Sequence, residues 1–180
     1  MRTIKSWLMG MLLVSLGNLP LHATADGSGI YNLHRISDAL LTAGQIKPDD
    51  LPVLEAADIG MVINLAPASE DHNRYESFWV TRQGMAYVQI PVPWEQPTEE
   101  DLNLFFDVMD TRGERNVLVH CFANYRASAF TYLYRVLRQG VDEKEARADL
   151  EVIWDAAAFE EYPQWAAFIE AVQASAAARE

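Results

Sequence analysis

Cys121 is the only cysteine of the chain. It stands between an apolar run, Val117-Leu118-Val119-His120, and an arginine five positions on, Arg126. A thiol in water has a pKa of about 8.5, and helix N-termini or neighbouring cations lower it to roughly 3.5–7.5. Both influences are available to Cys121. From Ala127 the residues Ala129, Phe130, Leu133, Val136 and Leu137 keep a helical period up to Gly140. Such a helix turns its unpaired N–H groups back toward the loop. Arg126 adds a permanent charge whose planar fork suits an oxyanion. Between them, the amides of Phe122, Ala123, Asn124 and Tyr125 could form a nest around one tetrahedral anion. Asn124 suits a left-handed backbone better than most residues. Ser128 is placed to offer its hydroxyl to the sulfur, and His120 to hydrogen-bond within the loop or act as a base. The chemistry open to this set is attack by sulfur on a centre that carries anionic oxygens. A buried Cys that merely packs after a strand is the simpler alternative; strand, Cys, short polar loop, Arg and helix together favour a functional role.

Positioning these residues requires a scaffold, and the pattern supplies one. Residues 39–43 read as a short strand closed by Gly44. Pro48, with Asp49 and Asp50 behind it, opens a helix whose apolar side is Leu51, Leu54 and Ile59, with Gly60 as its stop. Residues 61–65 read as a buried strand, 66–73 as a polar loop, and 75–83 as a helix ended by Gly84. Residues 86–90 form the next strand, closed by Pro91 and Pro93. Thr98 caps a helix with Leu102, Phe105, Phe106 and Met109 inward. Val117 to His120 is a fully buried strand. Asp142 caps a further helix with Glu145 three residues on, and Pro163 opens a last one carrying Trp165, Phe168 and Ile169. Strands alternating with helices predict a single α/β domain with a mainly parallel central sheet flanked by helices. Sites in such sheets lie beyond the C-terminal strand ends, so segments 66–73, 91–97 and 121–126 are expected to meet.

Composition narrows the partners. The 180 residues hold 26 Asp and Glu against 14 Lys and Arg, a net charge of −12. A surface that acidic repels nucleic acid and anionic lipid, so neither is expected as a partner. Any anion site must be a local positive spot. Residues 1–25 read as a signal peptide: Arg2 and Lys5, an apolar run from Trp7 to Leu16, a break at Leu19-Pro20, and Ala23-Thr24-Ala25 as cleavage site. The run is shorter than the roughly 20 residues a membrane span needs, an uncleaved anchor being the alternative. The expected product is an exported, periplasmic domain of residues 26–180 without membrane contact after cleavage. A lone Cys excludes an internal disulfide and makes the thiol an oxidation liability outside the cell.

The strand ending in His120-Cys121, the loop closed by Arg126 and the helix behind it resemble the cysteine-dependent protein tyrosine and dual-specificity phosphatases, small bacterial members above all. The stretch ALLTAGQIKPDDLPVLEAADIGMVINL resembles their opening strand, helix and second strand, and YVQIPVPW the strand before their acid loop. The likeness runs from about Ile36 to the last helix and implies their α/β fold. It implies Cys121 as the nucleophile that takes a phosphoryl group, Arg126 and the amides of Phe122 to Arg126 as the cradle, and a phosphorylated small molecule or phosphoprotein as substrate. One departure stands out. Four residues separate Cys121 from Arg126 where the phosphatases have five, and Ser128 keeps the family distance from the cysteine. In loop length the chain resembles the rhodanese sulfurtransferases, whose cysteine carries a sulfane sulfur.

The resemblance also implies an acid on the loop after the 86–90 strand. Glu95 is the candidate there, with Asp101 behind it, although Asp101 is also a plain first-turn helix charge. Asp71 and His72 on the facing loop are weaker substrate contacts. No cofactor or metal is expected: His34, His72 and His120 lie far apart without ligand spacing, and no Gly-rich nucleotide motif occurs. Three functions stay open: a phosphatase-like hydrolase, a sulfurtransferase on the same scaffold, and a catalytically silent anion-binding module.

Overall fold

The computed structural model describes residues 29–179. The expected signal peptide, with cleavage after Ala25, lies outside the described residues. The five strands are β1 (His34–Ser37), β2 (Leu40–Ala43), β3 (Ile59–Asn64), β4 (Ala86–Gln89) and β5 (Asn116–His120). They form one sheet in the order β1-β2-β5-β3-β4. The β1–β2 pair is antiparallel and all other pairs are parallel. The helices are α1 (Leu51–Ala56), α2 (Glu76–Arg82), α3 (Glu99–Asp110), α4 (Tyr125–Leu137), α5 (Glu143–Glu151), α6 (Ala156–Glu161) and α7 (Pro163–Ala177), with a 3₁₀ turn at Pro48–Asp50 before α1. The expected single α/β domain with a mainly parallel sheet is what the chain adopts. Among the described residues no helix is long and apolar enough to cross a membrane.

The apolar run of β5 is explained by its central place. Val117 and Val119 face one core, with Phe105, Phe106, Met109, Phe130, Leu133 and Trp165 of α3, α4 and α7. Leu118 faces the other, with Leu51 and Leu54 of α1 and Val80 of α2. Successive strand residues point to opposite faces, so a strand covered on both sides must be apolar throughout. The same alternation sends Leu40, Met61 and Ile63 to the first core and Leu41 and Val62 to the second.

Register brings the strand ends level. Ala43 of β2 and Asn64 of β3 both pair with His120 of β5. Three chain segments therefore leave the same sheet edge side by side, with Cys121 in the middle.

Two expectations need correction. Gly60 does not stop α1: that role falls to Asp58, whose φ of 53° is left-handed, while Ile59 and Gly60 already belong to β3. The edge strand β1 and the short helix α6 were not expected. β1 is half-exposed and four residues long, and so lacks an apolar run.

Candidate active site

Cys121 is the first residue beyond β5, and its N–H donates to the carbonyl of Ala43 at 3.2 Å. The loop then turns outward at its carbonyls. Phe122 O accepts from Gln45 N at 3.0 Å, and Ala123 O accepts from Asn32 Nδ2 at 3.1 Å. In a trans peptide the next N–H points opposite to the carbonyl. The Ala123 N–H is thereby turned away from β2 and back across the loop. Asn124 takes the left-handed conformation, φ 71°, as the N-cap of α4. Its Nδ2 donates to Asn32 O at 2.7 Å and to Thr42 Oγ1 at 3.0 Å, which fixes that geometry. The first N–H groups of α4, from Tyr125 to Ala127, receive no side-chain cap. They carry the positive end of the helix dipole on the loop side.

Arg126 is buried and held at three points. Its Nε donates to Val92 O at 3.0 Å. Its guanidinium lies 4.9 Å from the Trp94 ring centre and 5.9 Å from that of Phe122. The Cys121 sulfur lies beside it, close enough to act on its charge. Burial pushes the guanidinium pKa below its ordinary value, and the sulfur beside it offsets part of that push. A cation so placed is fixed in position by its neighbours.

The backbone on either side is pinned by indole donors from the C-terminal third. Trp165 Nε1 donates to Trp94 O at 3.0 Å, and Trp154 Nε1 to Tyr125 O at 2.9 Å. The half-buried Tyr125 ring meets Trp154 edge-on at 4.7 Å. His72, on the expected facing loop, lies 5.0 Å from the Phe122 ring. Segments 66–73, 91–97 and 121–126 therefore converge as their placement on the sheet edge requires.

Not every expected residue reaches the site. His120 is fully buried and makes no bond within the loop: its Nε2 lies 2.8 Å from Glu76 Oε1, behind the cysteine. The structure thus gives it a carboxylate neighbour on α2 in place of the expected contact within the loop. Ser128 does not serve the sulfur either. Its hydroxyl donates to Asn124 O at 2.8 Å and Tyr125 O at 3.2 Å, the back-bonding that Ser favours inside a helix. Glu95 is exposed next to Trp94, and among the described residues it has no hydrogen-bond or ion-pair partner. Asp101 accepts from Thr98 Oγ1 at 2.6 Å and so belongs to the α3 cap. Asp71 is exposed.

Sequence reasoning missed Glu76. It is wholly buried on α2, and the carboxylate oxygen near His120 accepts from Asn64 Nδ2 at 2.9 Å and Tyr87 OH at 3.0 Å, while the other accepts from Gln45 Nε2. Burial and the Glu76 charge drive the Tyr87 pKa up. An acidic residue in the first turn of a helix has a sufficient local reason to be there, so the sequence carried no signal of this network. Among the described residues no group of three or more His, Cys, Asp and Glu side chains could hold a metal ion.

Comparison with known proteins adds the following. No family model and no curated protein matches the chain. Among solved structures, a DUF442 protein of Shewanella putrefaciens CN-32, described as a candidate phosphatase, is 40% identical with a TM-score of 0.74. That match covers 82% of this chain and 92% of the other. A cysteine-to-serine form of P. aeruginosa TpbA, solved in complex with pTyr, is 18% identical with a TM-score of 0.64, covering 89% and 98%. The core catalytic domain of the PP-IP phosphatase SIW14 from S. cerevisiae, in complex with citrate, is 14% identical with a TM-score of 0.62, covering 78% and 85%. These last two share the fold.

Proposed function

Because the chain belongs to the DUF442 family of cysteine-dependent, tyrosine/dual-specificity-phosphatase-like proteins, we propose that it hydrolyses phosphate monoesters through Cys121. The observation that carries this reading is the Arg126 guanidinium, buried between Trp94 and Phe122 beside the Cys121 sulfur. The thiolate attacks phosphorus, the P–O bond to the substrate alcohol breaks, and the alcohol leaves with a proton from an acid. Water then attacks the phosphocysteine, which releases inorganic phosphate and restores the thiol. Arg126, the loop N–H groups and the start of α4 stabilise the charge on the transferring group. Glu95 serves as the acid, on the strength of its place beside Trp94 on the 91–97 loop. The composition of residues 1–25 supports an exported enzyme. The alternation of strongly basic, apolar and small residues there is the whole basis for that assignment.

A second reading rests on a specific observation. The loop has one residue fewer than in the phosphatases, and Ser128 spends its hydroxyl on the helix backbone and not on the sulfur. A tighter ring suits a persulfide better than phosphate, which favours sulfane-sulfur transfer. One experiment separates them. The protein and its Cys121→Ser variant are each offered an aryl phosphate, then thiosulfate with cyanide. Cysteine-dependent phosphate release supports the first reading, and thiocyanate alone replaces it with the second. Silence in both assays removes both and leaves a silent anion-binding module.

A further inference from the structure

The outer face of α2 contrasts with the rest of the molecule. The chain holds 26 acidic residues, yet Glu76 is the only one between Asp71 and Glu95, and it is wholly buried. Residues 72–94 therefore contribute no exposed carboxylate of their own. On this face stand Tyr75 and Phe78, 64% and 60% exposed and among the most exposed large apolar side chains of the described residues. Each carries an arginine against its ring: Arg74 lies 5.2 Å from the centre of Tyr75, and Arg82 lies 5.6 Å from that of Phe78. Arg74 is also paired with Glu70. Arg82 has no carboxylate partner among the described residues. A guanidinium lying on an aromatic ring keeps its N–H edges free to bind carboxylates, while the ring offers apolar contact area.

This patch adjoins the candidate site. Three residues before Tyr75, His72 packs on Phe122 of the cysteine loop. The chain from His72 to Phe78 cannot exceed about 20 Å even if fully extended. The opposite side of the same helix carries Glu76, whose Oε1 lies 2.8 Å from Nε2 of His120, the residue before Cys121.

We infer that the outer face of α2 is a docking surface for an acidic stretch of polypeptide lying beside the residue that enters the cysteine loop. Charge complementarity selects this occupant. The net charge of −12 repels an extended anionic surface such as a bilayer. A single acidic segment pressed onto the uncompensated Arg82, within the Debye length of about 8 Å, is governed by that local charge instead, with Arg74 shared between it and Glu70. The occupant named here rests on the proposed phosphatase reading; the patch itself does not.

The test uses a fluorescent Glu-rich peptide around one unphosphorylated tyrosine, whose binding to the full chain is read by anisotropy. Arg82→Glu and Phe78→Ser are each expected to weaken binding about tenfold, the size of one good cation–π or anchor contact. Arg138→Glu, which alters the arginine over Phe106 elsewhere on the surface, is the control expected to leave it unchanged. Raising the salt concentration is expected to weaken the wild type toward the variants. Equal affinities in all four proteins, or equal loss in all three variants, overturn the inference. So does Arg82-dependent binding to vesicles of phosphatidylglycerol and phosphatidylcholine without peptide binding, or a wild-type dimer that Phe78→Ser dissociates. Peptide binding needs no turnover, so an inactive enzyme that still binds through α2 refutes only the phosphatase reading. Aryl phosphate hydrolysis that survives with no peptide binding refutes only the docking surface.

Discussion

Nε2 of His120 lies 2.8 Å from Oε1 of Glu76, and neither side chain meets solvent. The residue just before the candidate nucleophile is thus fixed by a carboxylate from another element. That carboxylate gathers donors from Asn64, Tyr87 and Gln45 as well. The network links β3, β4 and β5 to α2 beneath the loop.

Replacing Glu76 by Ala takes the carboxylate acceptor from the Asn64, Tyr87 and Gln45 donors. Leaving a buried donor without its acceptor costs about 1–3 kcal/mol. The urea midpoint of Glu76→Ala is expected to fall accordingly, and Glu76→Gln, which keeps the volume and an acceptor, to fall less. A midpoint equal to the wild type in both would show that the carboxylate holds nothing.

Arg126→Lys keeps the charge but loses the planar fork and the stacking on Trp94. Its Nε bond to Val92 also has no lysine counterpart. The expected outcome is a fall in kcat on an aryl phosphate of about 10²–10³, the range for removing one preorganised oxyanion donor. Turnover within a few-fold of wild type would remove Arg126 from the mechanism.

Tyr87 gives the protein an alkaline limit. Its pKa is raised from 10.0, first by burial and then by Glu76. Above the unfolded value the unfolded chain releases a proton that the folded one keeps, so stability falls as pH rises. The urea midpoint is expected to hold until about pH 10, the unfolded tyrosine value, and to decline above it. Tyr87→Phe is expected to make that decline shallower. Tyrosinate absorbance tracks the effect, and early ionisation of Tyr87 in the folded protein would contradict it.

Gly44 supports the loop from the β2 side. It forms an isolated bridge with Ala123, and a Cβ there would stand 2.7 Å from Tyr31 Cδ1, 2.9 Å from Tyr31 O and 3.1 Å from Phe122 O. Two of those three atoms are backbone, so they cannot swing aside. Gly44→Ala is expected to cost about 1–3 kcal/mol, as overpacking does, and to lower activity by moving the Phe122 peptide. Thermal melts and turnover together check it.

The sequence made the frame legible because β3, β4 and β5 are bounded by glycine, proline or caps, and because their burial leaves one apolar pattern to read. The cysteine loop was legible through the spacing of Cys121 and Arg126 and the left-handed tolerance of Asn124. The roles of His120 and Ser128 were not, since each chose a partner that spacing does not specify: a carboxylate 44 residues away for one, its own helix backbone for the other. Trp94 was hidden for a related reason. An aromatic residue in a proline-flanked loop announces exposure, whereas here the far end of the chain covers it.

That cover sets a schedule for synthesis. The carbonyl of Trp94 takes its hydrogen from an indole on α7, and the carbonyl of Tyr125 from one just before α6. A nascent polypeptide that has already emerged through Arg126 still wants both donors. The pocket is finished only when the last helix docks, and until then the lone thiol waits on an unlocked rim.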